Sequence, residues 1–485
     1  MWGAGASDSG CQPAAEPCTI TTLTAVGRLE GDSVRKAARD PAWWVLVIAT
    51  AAAFVLRYWF ISTAWIEHPV RGDALDYVSY AANLIQHHVF SVASGGAPVV
   101  PDSYRDPGYP TFLAPFLALI QNAGLRYRTL QTTQALLGAL TVTAYLCLAR
   151  RWLSLPWLIV TAVLLAIWPH SITAPAYLLS ETLLGFLISV ALATVAKGLA
   201  EDRAGRLTAG GLLFGCAALT NAVMAPFLPV VAAAGYLAQP ARRRRWVILL
   251  VASLALPGLW AIRNAAFAEG PAASQRAVTN LVQGSWPEYH SAWLDSLSGD
   301  PAGVAMTRRI DQEVSLAVHD RRAGMTSLVN RLGAEPERYA AWYASKPALL
   351  WSWSMRIASG HIYVFPTVDS PLESNDIAWY TMQALVTANP IVAILALLGC
   401  VVVIIGRADR QAGMTAVLLL YVTAVYSVLQ SEPRYAVPFR GAEIVMAALG
   451  AAWLSAGFLT LWRRRLGHLA TSGTSSAGAA PRRSA

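Results

Sequence analysis

Apolar runs of about 17 to 25 residues recur along nearly the whole chain, and no other property restricts its fold so strongly. A helix needs roughly 20 apolar residues to cross a hydrocarbon core about 30 Å thick. Inside lipid the backbone must satisfy its own hydrogen bonds, which leaves helices and closed barrels. The short alternating segments of a membrane barrel are absent from the sequence. The chain therefore reads as an all-α polytopic membrane protein. Of its 485 residues 55% are hydrophobic and 13% charged, with mean hydropathy +0.44. Soluble domains are about a quarter charged.

The expected spans are 42–63, 129–149, 155–170, 178–197, 207–222, 223–238, 246–264, 387–406, 412–430 and 441–462, about ten in all. Basic residues mark every second link: Arg150 and Arg151, then Lys197, Arg203 and Arg206, then Arg242 to Arg245, then Arg407 and Arg410, then Arg463 to Arg465. Basic links stay cytoplasmic, so both termini are expected there. The links 64–128, 174–181, 265–385 and 431–440 then face outward. This parity depends on 110–120, which at about 1.5 Å per residue covers only about half of the core. It is expected as a juxtamembrane helix in the outer interface, beside the amphipathic stretch 73–88. Trp43, Trp44, Trp59 and Trp65 sit near the two ends of span one, as an aromatic belt would.

The expected organisation follows. Residues 1–41 form a disordered cytoplasmic tail without the apolar core of a signal peptide. Residues 42–264 form an N-terminal transmembrane module with a first outer loop at 64–128. Residues 265–385 form a large extracytoplasmic loop region, with an interfacial helix at 347–361 that starts on Trp351 and Trp353. Residues 386–462 form the C-terminal transmembrane helices, and 463–485 a second cytoplasmic tail. The net charge of +9 is uneven: 265–385 holds 12 acids and 9 bases, so the rest carries +12. That is the bias of cytoplasmic links rather than a nucleic-acid surface. Five Cys make no disulfide framework, and neither they nor the His residues show metal-ligand spacing.

A few charges stand where helices leave the bilayer. Asp73, in Gly72-Asp73-Ala74-Leu75-Asp76-Tyr77, has Tyr77 and Tyr80 on the same helical face. It reads as an N-cap, as a general base toward a hydroxyl, or as both. Arg105, in Arg105-Asp106-Pro107-Gly108-Tyr109-Pro110, offers a fork that matches phosphate, or else an interfacial anchor. Glu181 starts span four, where the helix dipole favours an acid, or where a second carboxylate positions a substrate hydroxyl or the base. Arg434, in Glu432-Pro433-Arg434-Tyr435-Ala436-Val437-Pro438, faces outward against the charge bias. Its partner is Glu432 or a substrate phosphate. Arg263 ends span seven on the outer side. Arg57 lies inside span one, where a central Arg costs about 2.5 kcal/mol or more, and is expected to pair with Glu67 or snorkel outward.

Taken together, these residues resemble the GT-C glycosyltransferases of the protein O-mannosyltransferase and aminoarabinose-transferase type. The pattern is an acid with a Tyr four residues on (Asp73, Tyr77), an Arg-Pro-Pro-Gly-Tyr-Pro-like segment (Arg105 to Pro110), a Thr/Ser-Glu pair (Ser180-Glu181), and a Glu-x-Arg-Tyr-x-x-Pro turn (Glu432 to Pro438, with one residue offset in spacing). The span order matches over about 42–465. Two positions depart from it. Asp106 replaces the first Pro, and Ala74 stands where mannosyltransferases usually carry a second acid, which speaks against protein mannosylation in particular.

The resemblance implies a GT-C fold and an inverting transfer of a sugar from a polyprenyl-phosphate donor at the periplasmic face of the plasma membrane. It implies Asp73 as catalytic base with Glu181 beside it, and Tyr77, Arg105, Tyr109, Arg263, Arg434 and Tyr435 as substrate-binding residues. No cofactor is required; a divalent metal is possible but not indicated. The partners are the lipid-linked donor, membrane lipid, and a glycan, lipid or protein acceptor, with no nucleic acid. The rival readings are a surface-polysaccharide polymerase or ligase using diphosphate-linked glycans, a polytopic transporter, and a scaffold that keeps the fold without the chemistry. Against a transporter, the charged residues gather at one face rather than the midplane, and no repeat is evident.

Overall fold

The structure, a computed structural model, describes residues 40–353, 367–406 and 410–474. The chain divides into units of residues 1–44 and 45–485, and Asp40 to Trp44 are the described part of the first. Helix α1 covers Pro41–Thr63 and strand β1 Trp65–Ile66. The long first loop then carries α2 (Asp73–Gln86) and α3 (Gly108–Leu119). Next come α4 (Ala123–Ala149), α5 (Leu155–Ile167), the short α6 (Pro169–Thr173), α7 (Glu181–Glu201), α8 (Ala204–Thr220), α9 (Phe227–Ala238) and α10 (Arg243–Phe267). Five helices follow: α11 (Ala273–Gly284), α12 (Tyr289–Leu297), α13 (Pro301–His319), α14 (Arg321–Ala334) and α15 (Pro336–Leu350). After β2 (Thr367–Val368), the chain ends with α16 (Pro371–Ser374), α17 (Asp376–Ile405), α18 (Arg410–Val428), α19 (Pro433–Ala436) and α20 (Arg440–Thr474).

Each expected span falls mostly on helix, but some cross a break and not all are equally long. Among the described residues six helices are long and apolar enough to cross a membrane, or seven if α5 and the helical turns after it, bent by 49°, count as one span. The apolar helices Ala222–Ala238 and Ala412–Val428 are shorter, as is α3. Span five, expected at 207–222, is the 17-residue α8. It stops at Asn221, whose side chain accepts from the Val223 N–H at 3.0 Å and starts a new turn. Expected tail residues 463–474 continue α20.

Two expectations are corrected. Arg57 neither snorkels nor meets Glu67: it is 1% exposed and donates to the carbonyls of Ala53 (2.9 Å) and Ala166 (3.5 Å), between α1 and α5. Trp351 and Trp353 do not begin an interfacial helix. Helix α15 ends at Leu350, and both rings turn into the helix packing instead. Trp351 Nε1 donates to Thr423 at 2.9 Å, and Trp353 packs edge-on against His170 at 4.3 Å. The remainder of that expected helix, 354–361, lies outside the described residues.

Close backbone approach holds the C-terminal helices together. A Cβ on Gly399 would sit 2.0 Å from the Met446 carbonyl, and one on Gly450 would sit 2.2 Å from the Leu395 carbonyl. Small residues of this kind let membrane helices touch where no hydrophobic effect draws them together. Helices α11 to α15 have their own core of Val282, Trp286, Ile310, Ala317 and Leu328. Within it the Trp286 indole donates to Glu313 at 2.6 Å, and Arg331 lies 3.9 Å above the Trp286 ring while pairing with Glu313 at 3.0 Å.

Lys346 joins this layer to the end of α18. Its ammonium is buried and donates to the carbonyls of Gly284 (2.8 Å) and Leu429. Burial pushes Lys346 down to about 8 from its ordinary 10.5. Between those values the unfolded chain holds more protons than the folded one, so stability rises as pH climbs through that window. Lys346→Met should lack this gain, which thermal unfolding in detergent from about pH 7 to pH 10, wild type against variant, measures directly.

Candidate active site

Four segments distant in sequence meet in one chain of charges. Helix α2 starts at Asp73, after Gly72 with φ 54°, and carries Asp73 and Asp76 in its first turn, where the dipole favours acids. Asp73 is therefore the first helical residue and not the cap. Its two carboxylate oxygens serve two guanidiniums. Oδ1 accepts from Arg105 Nη2 at 2.7 Å and Oδ2 from Arg434 Nη2 at 2.8 Å. Asp76 Oδ2 accepts from Arg105 through Nε (2.9 Å) and Nη2 (2.7 Å). Glu181 Oε1 accepts from Arg434 Nε at 2.6 Å. The order is Asp76, Arg105, Asp73, Arg434, Glu181.

Electrostatics follow from this order. Burial alone would raise the Asp73 carboxyl, but Arg434 and Arg105 outweigh it and hold Asp73 well below the usual carboxylate range. Burial would likewise lower Arg105, but Asp73 and Asp76 raise it further. Asp73 is thus ionised, and Arg105 and Arg434 are fully charged. Glu181 Oε2 is buried and accepts no hydrogen bond.

Asp73, Arg105, Glu181 and Arg434 border a cavity of about 1250 Å³. Arg71, Arg105, Arg276 and Arg434 line it along with Asp73, Asp106, Glu181 and Glu432, so positive and negative groups balance. A second wall comes from α11 and α12, with Arg276, Asn280, Gln283 and Trp293. A third is mainly apolar and aromatic, with Leu184 from α7, which is long enough to span a membrane, and Val223, Pro226, Tyr421 and Tyr426 from the two shorter apolar helices. The cavity is therefore charged at one end and greasy along one side.

Six of the eight residues singled out from the sequence line the cavity: Asp73, Tyr77, Arg105, Glu181, Arg434 and Tyr435. Tyr77 stands beside Arg105, whose guanidinium is 5.6 Å from its ring. Tyr435 stacks on Tyr426 at 5.0 Å and donates to Gln430 at 3.0 Å. Tyr109 sits one layer behind: it is fully buried, edge-on to Tyr77 at 5.0 Å, and donates to Gln134 at 3.0 Å. It supports the wall rather than forming it. Arg263 is elsewhere. It donates to the carbonyls of Asp102 (2.6 Å) and Phe90 (3.3 Å) and covers the Trp260 ring at 4.9 Å. Its bonds staple the first loop to α10. Arg434, for which the sequence offers Glu432 or a substrate phosphate as partner, bonds to Asp73 and Glu181 and also feels the charge of Glu432, whose Oε2 lies 3.8 Å from His290.

Some site residues were not anticipated. Asp106 Oδ2 accepts from Arg276 at 2.7 Å and from the Ala222 N–H at 3.0 Å, tying the loop to α11 and to the turn after α8. Asp102 is 1% exposed and organises the strip before Arg105. It accepts from Tyr80, from the Val92 N–H at 2.7 Å and from the Tyr104 N–H at 3.1 Å. Gly108 is required by contact: a Cβ there would lie 2.5 Å from Thr220 Oγ1 and 2.8 Å from the Leu219 carbonyl. Among the described residues no three His, Cys, Asp or Glu side chains form a group that could hold a metal ion.

No protein-family model and no curated protein matches the chain. Among solved structures it is similar to the Archaeoglobus fulgidus oligosaccharyltransferase tethered with an acceptor peptide containing the NVT sequon, at 15% identity and TM-score 0.48, over 87% of this chain and 50% of that one. The apo form of the same enzyme gives 15% identity and TM-score 0.47, over 92% and 53%. The chain spans about half the length of those solved chains.

Asp106→Ala removes the acceptor of both Arg276 and the Ala222 N–H. Stripping a fully buried pair of one partner costs about 3–5 kcal/mol, and less at a partly exposed one such as this. The variant should melt at a lower temperature and admit a tryptic cut after Arg276 that the wild type resists. Thermal unfolding and timed proteolysis in detergent test both.

Proposed function

We propose that this chain is an integral-membrane glycosyltransferase of the GT-C type. It transfers a sugar from a polyprenyl-monophosphate carrier to an acceptor hydroxyl, with inversion, at the extracytoplasmic face of the plasma membrane. One observation carries this reading. The acid of the first loop, the Arg before Pro-Gly-Tyr-Pro, the acid of the Ser-Glu pair and the Arg of the late turn border a single cavity, although Asp73 and Arg434 are 361 positions apart. The greasy side of that cavity suits a polyprenyl tail, and its charged end suits a phosphate and a sugar.

The chemistry uses groups already in place. The carrier phosphate lies against Arg105 and Arg434, whose guanidinium forks match phosphate oxygens. As the bond between the anomeric carbon and the phosphate oxygen breaks, its electron pair stays on the phosphate, and the two guanidiniums stabilise the charge that develops. The acceptor oxygen bonds to the anomeric carbon from the opposite side, and its proton passes to Asp73. Attack from that side inverts the centre and needs no covalent glycosyl-enzyme. Arg276 and the rest of α11 and α12 close the cavity toward the acceptor side and limit access of water, the competing nucleophile. No step is assigned to a metal.

Asp73→Asn should abolish transfer while the protein still folds and binds donor. Arg434→Lys keeps the charge but loses the fork, and should raise the donor KM more than it lowers kcat. Mass spectrometry of surface glycans and lipids from cells with and without the gene identifies the product, and assay of the release of polyprenyl monophosphate follows turnover. Near-normal turnover in Asp73→Asn would remove Asp73 from the base role. Release of a diphosphate carrier would point to a polymerase or ligase.

A further inference from the structure

A base whose two oxygens are both taken by guanidiniums is a poor base, and the same guanidiniums are those proposed to hold the donor. We propose that Asp73 is an internal stand-in for the donor phosphate: it occupies the place between Arg105 and Arg434 that the phosphate takes, and the phosphate's arrival releases it as the base. This rests on the glycosyltransferase reading and adds the coupling of donor binding to base strength, with Asp76 and Glu181 as positioning residues.

The pattern of bonds singles out Asp73 as the member that leaves. Arg105 has a separate anchor in Asp76, which accepts from both Nε and Nη2. Arg434 has a separate anchor in Glu181, which accepts from Nε. Asp73 takes one bond from each guanidinium and has no guanidinium to itself. If it leaves, both forks stay posed by their outer carboxylates, with a gap between them that an anion fits. Asp73 is also the more exposed partner, with 30% of its side chain accessible against 15% for Arg105 and 9% for Arg434, so it has room to turn into the cavity.

Charge balance makes the release matter. The cavity lining is balanced as it stands, so a phosphodiester adds one negative charge. The groups facing Asp73 are Asp76 and Tyr77 on its own helix, Arg105 in the loop, and Glu181 on α7. From the other elements they are Arg434 and Tyr435 on α19 and Tyr289 on α12. Once the two guanidiniums turn to phosphate, Asp73 is left among carboxylates, a phosphate and neutral phenols. Like charges at short range raise a carboxyl's affinity for a proton. In the reaction that proton comes from the acceptor hydroxyl. With a non-reacting ligand it comes from solvent, and binding then takes up protons.

The test uses the full-length protein in nanodiscs and undecaprenyl methyl phosphate, a phosphodiester that lacks the second ionisation near about pH 6 of a phosphate monoester. Calorimetric titration at about pH 5 in buffers of different ionisation enthalpy counts the protons exchanged per ligand bound. Wild type should take up a substantial fraction of one proton. Asp73→Asn should bind about tenfold or more tightly than wild type, because its competitor is gone, and take up none. Asp76→Asn removes the same charge beside the same Arg105 but takes away an anchor, so it should bind no more tightly than wild type. Binding without proton uptake, unchanged affinity in Asp73→Asn, or equal tightening in Asp76→Asn each overturns the stand-in while the glycosyltransferase reading stands. Absence of saturable binding to wild type removes that reading and this inference together. If Asp73→Asn does not fold, the wild-type proton count decides.

Discussion

Asp73 shares its carboxylate between two guanidiniums, and the architecture around the cavity follows from keeping that arrangement. Charges that leave water need partners, and here the bonded partners are 29 to 361 positions apart in sequence. Arg105 arrives on a loop shaped by Asp102, Arg434 on a turn between α18 and α20, and Glu181 at the first turn of α7. The loop, the turn and the two helix starts must therefore meet at one depth. Tyr109 helps set that depth from behind. Its hydroxyl reaches Gln134, whose amide in turn donates to the carbonyls of Pro175 and Tyr177 at 3.0 Å each, on the strip that leads to Glu181.

Much of this was legible in the sequence because lipid is a strict solvent. Spans had to be apolar and helical, so their positions could be read from runs of side chains. Asp73, Arg105, Glu181 and Arg434 stood out because polar residues at the ends of apolar runs are few. What could not be read were pairings that depend on three-dimensional approach. Arg263 has the charge for a phosphate, but the carbonyls of Phe90 and Asp102 lie nearer than the cavity does. Arg57 looked like a snorkelling side chain, yet the carbonyls of Ala53 and Ala166 gave it an inward route. Trp351 and Trp353 resembled interface anchors by composition, and only the packing of α18, α20 and the strip around His170 turns them inward.

Asp106 illustrates a different limit. Its departure from the family segment was visible, because an Asp stands where a Pro is usual. Its role was not, since Arg276 lies 170 positions away and the Ala222 N–H 116. A proline could accept neither bond. In this chain the first loop is thereby tied to α11 and to the restart of helix after α8. Lys346 makes the matching tie from the other end of the α11 to α15 layer, through the Leu429 carbonyl. The wall that closes the cavity is held at two points, one ionic and one to backbone.

The contact of Gly399 with Gly450 has a mechanical meaning. Two backbones that touch without intervening side chains cannot slide along one another without steric collision. Helix α20 begins directly after the turn that bears Arg434, so this contact acts as a depth gauge. It fixes how far along the helix pair the guanidinium stands, and with it the height of the cavity's charged end above the packed helices.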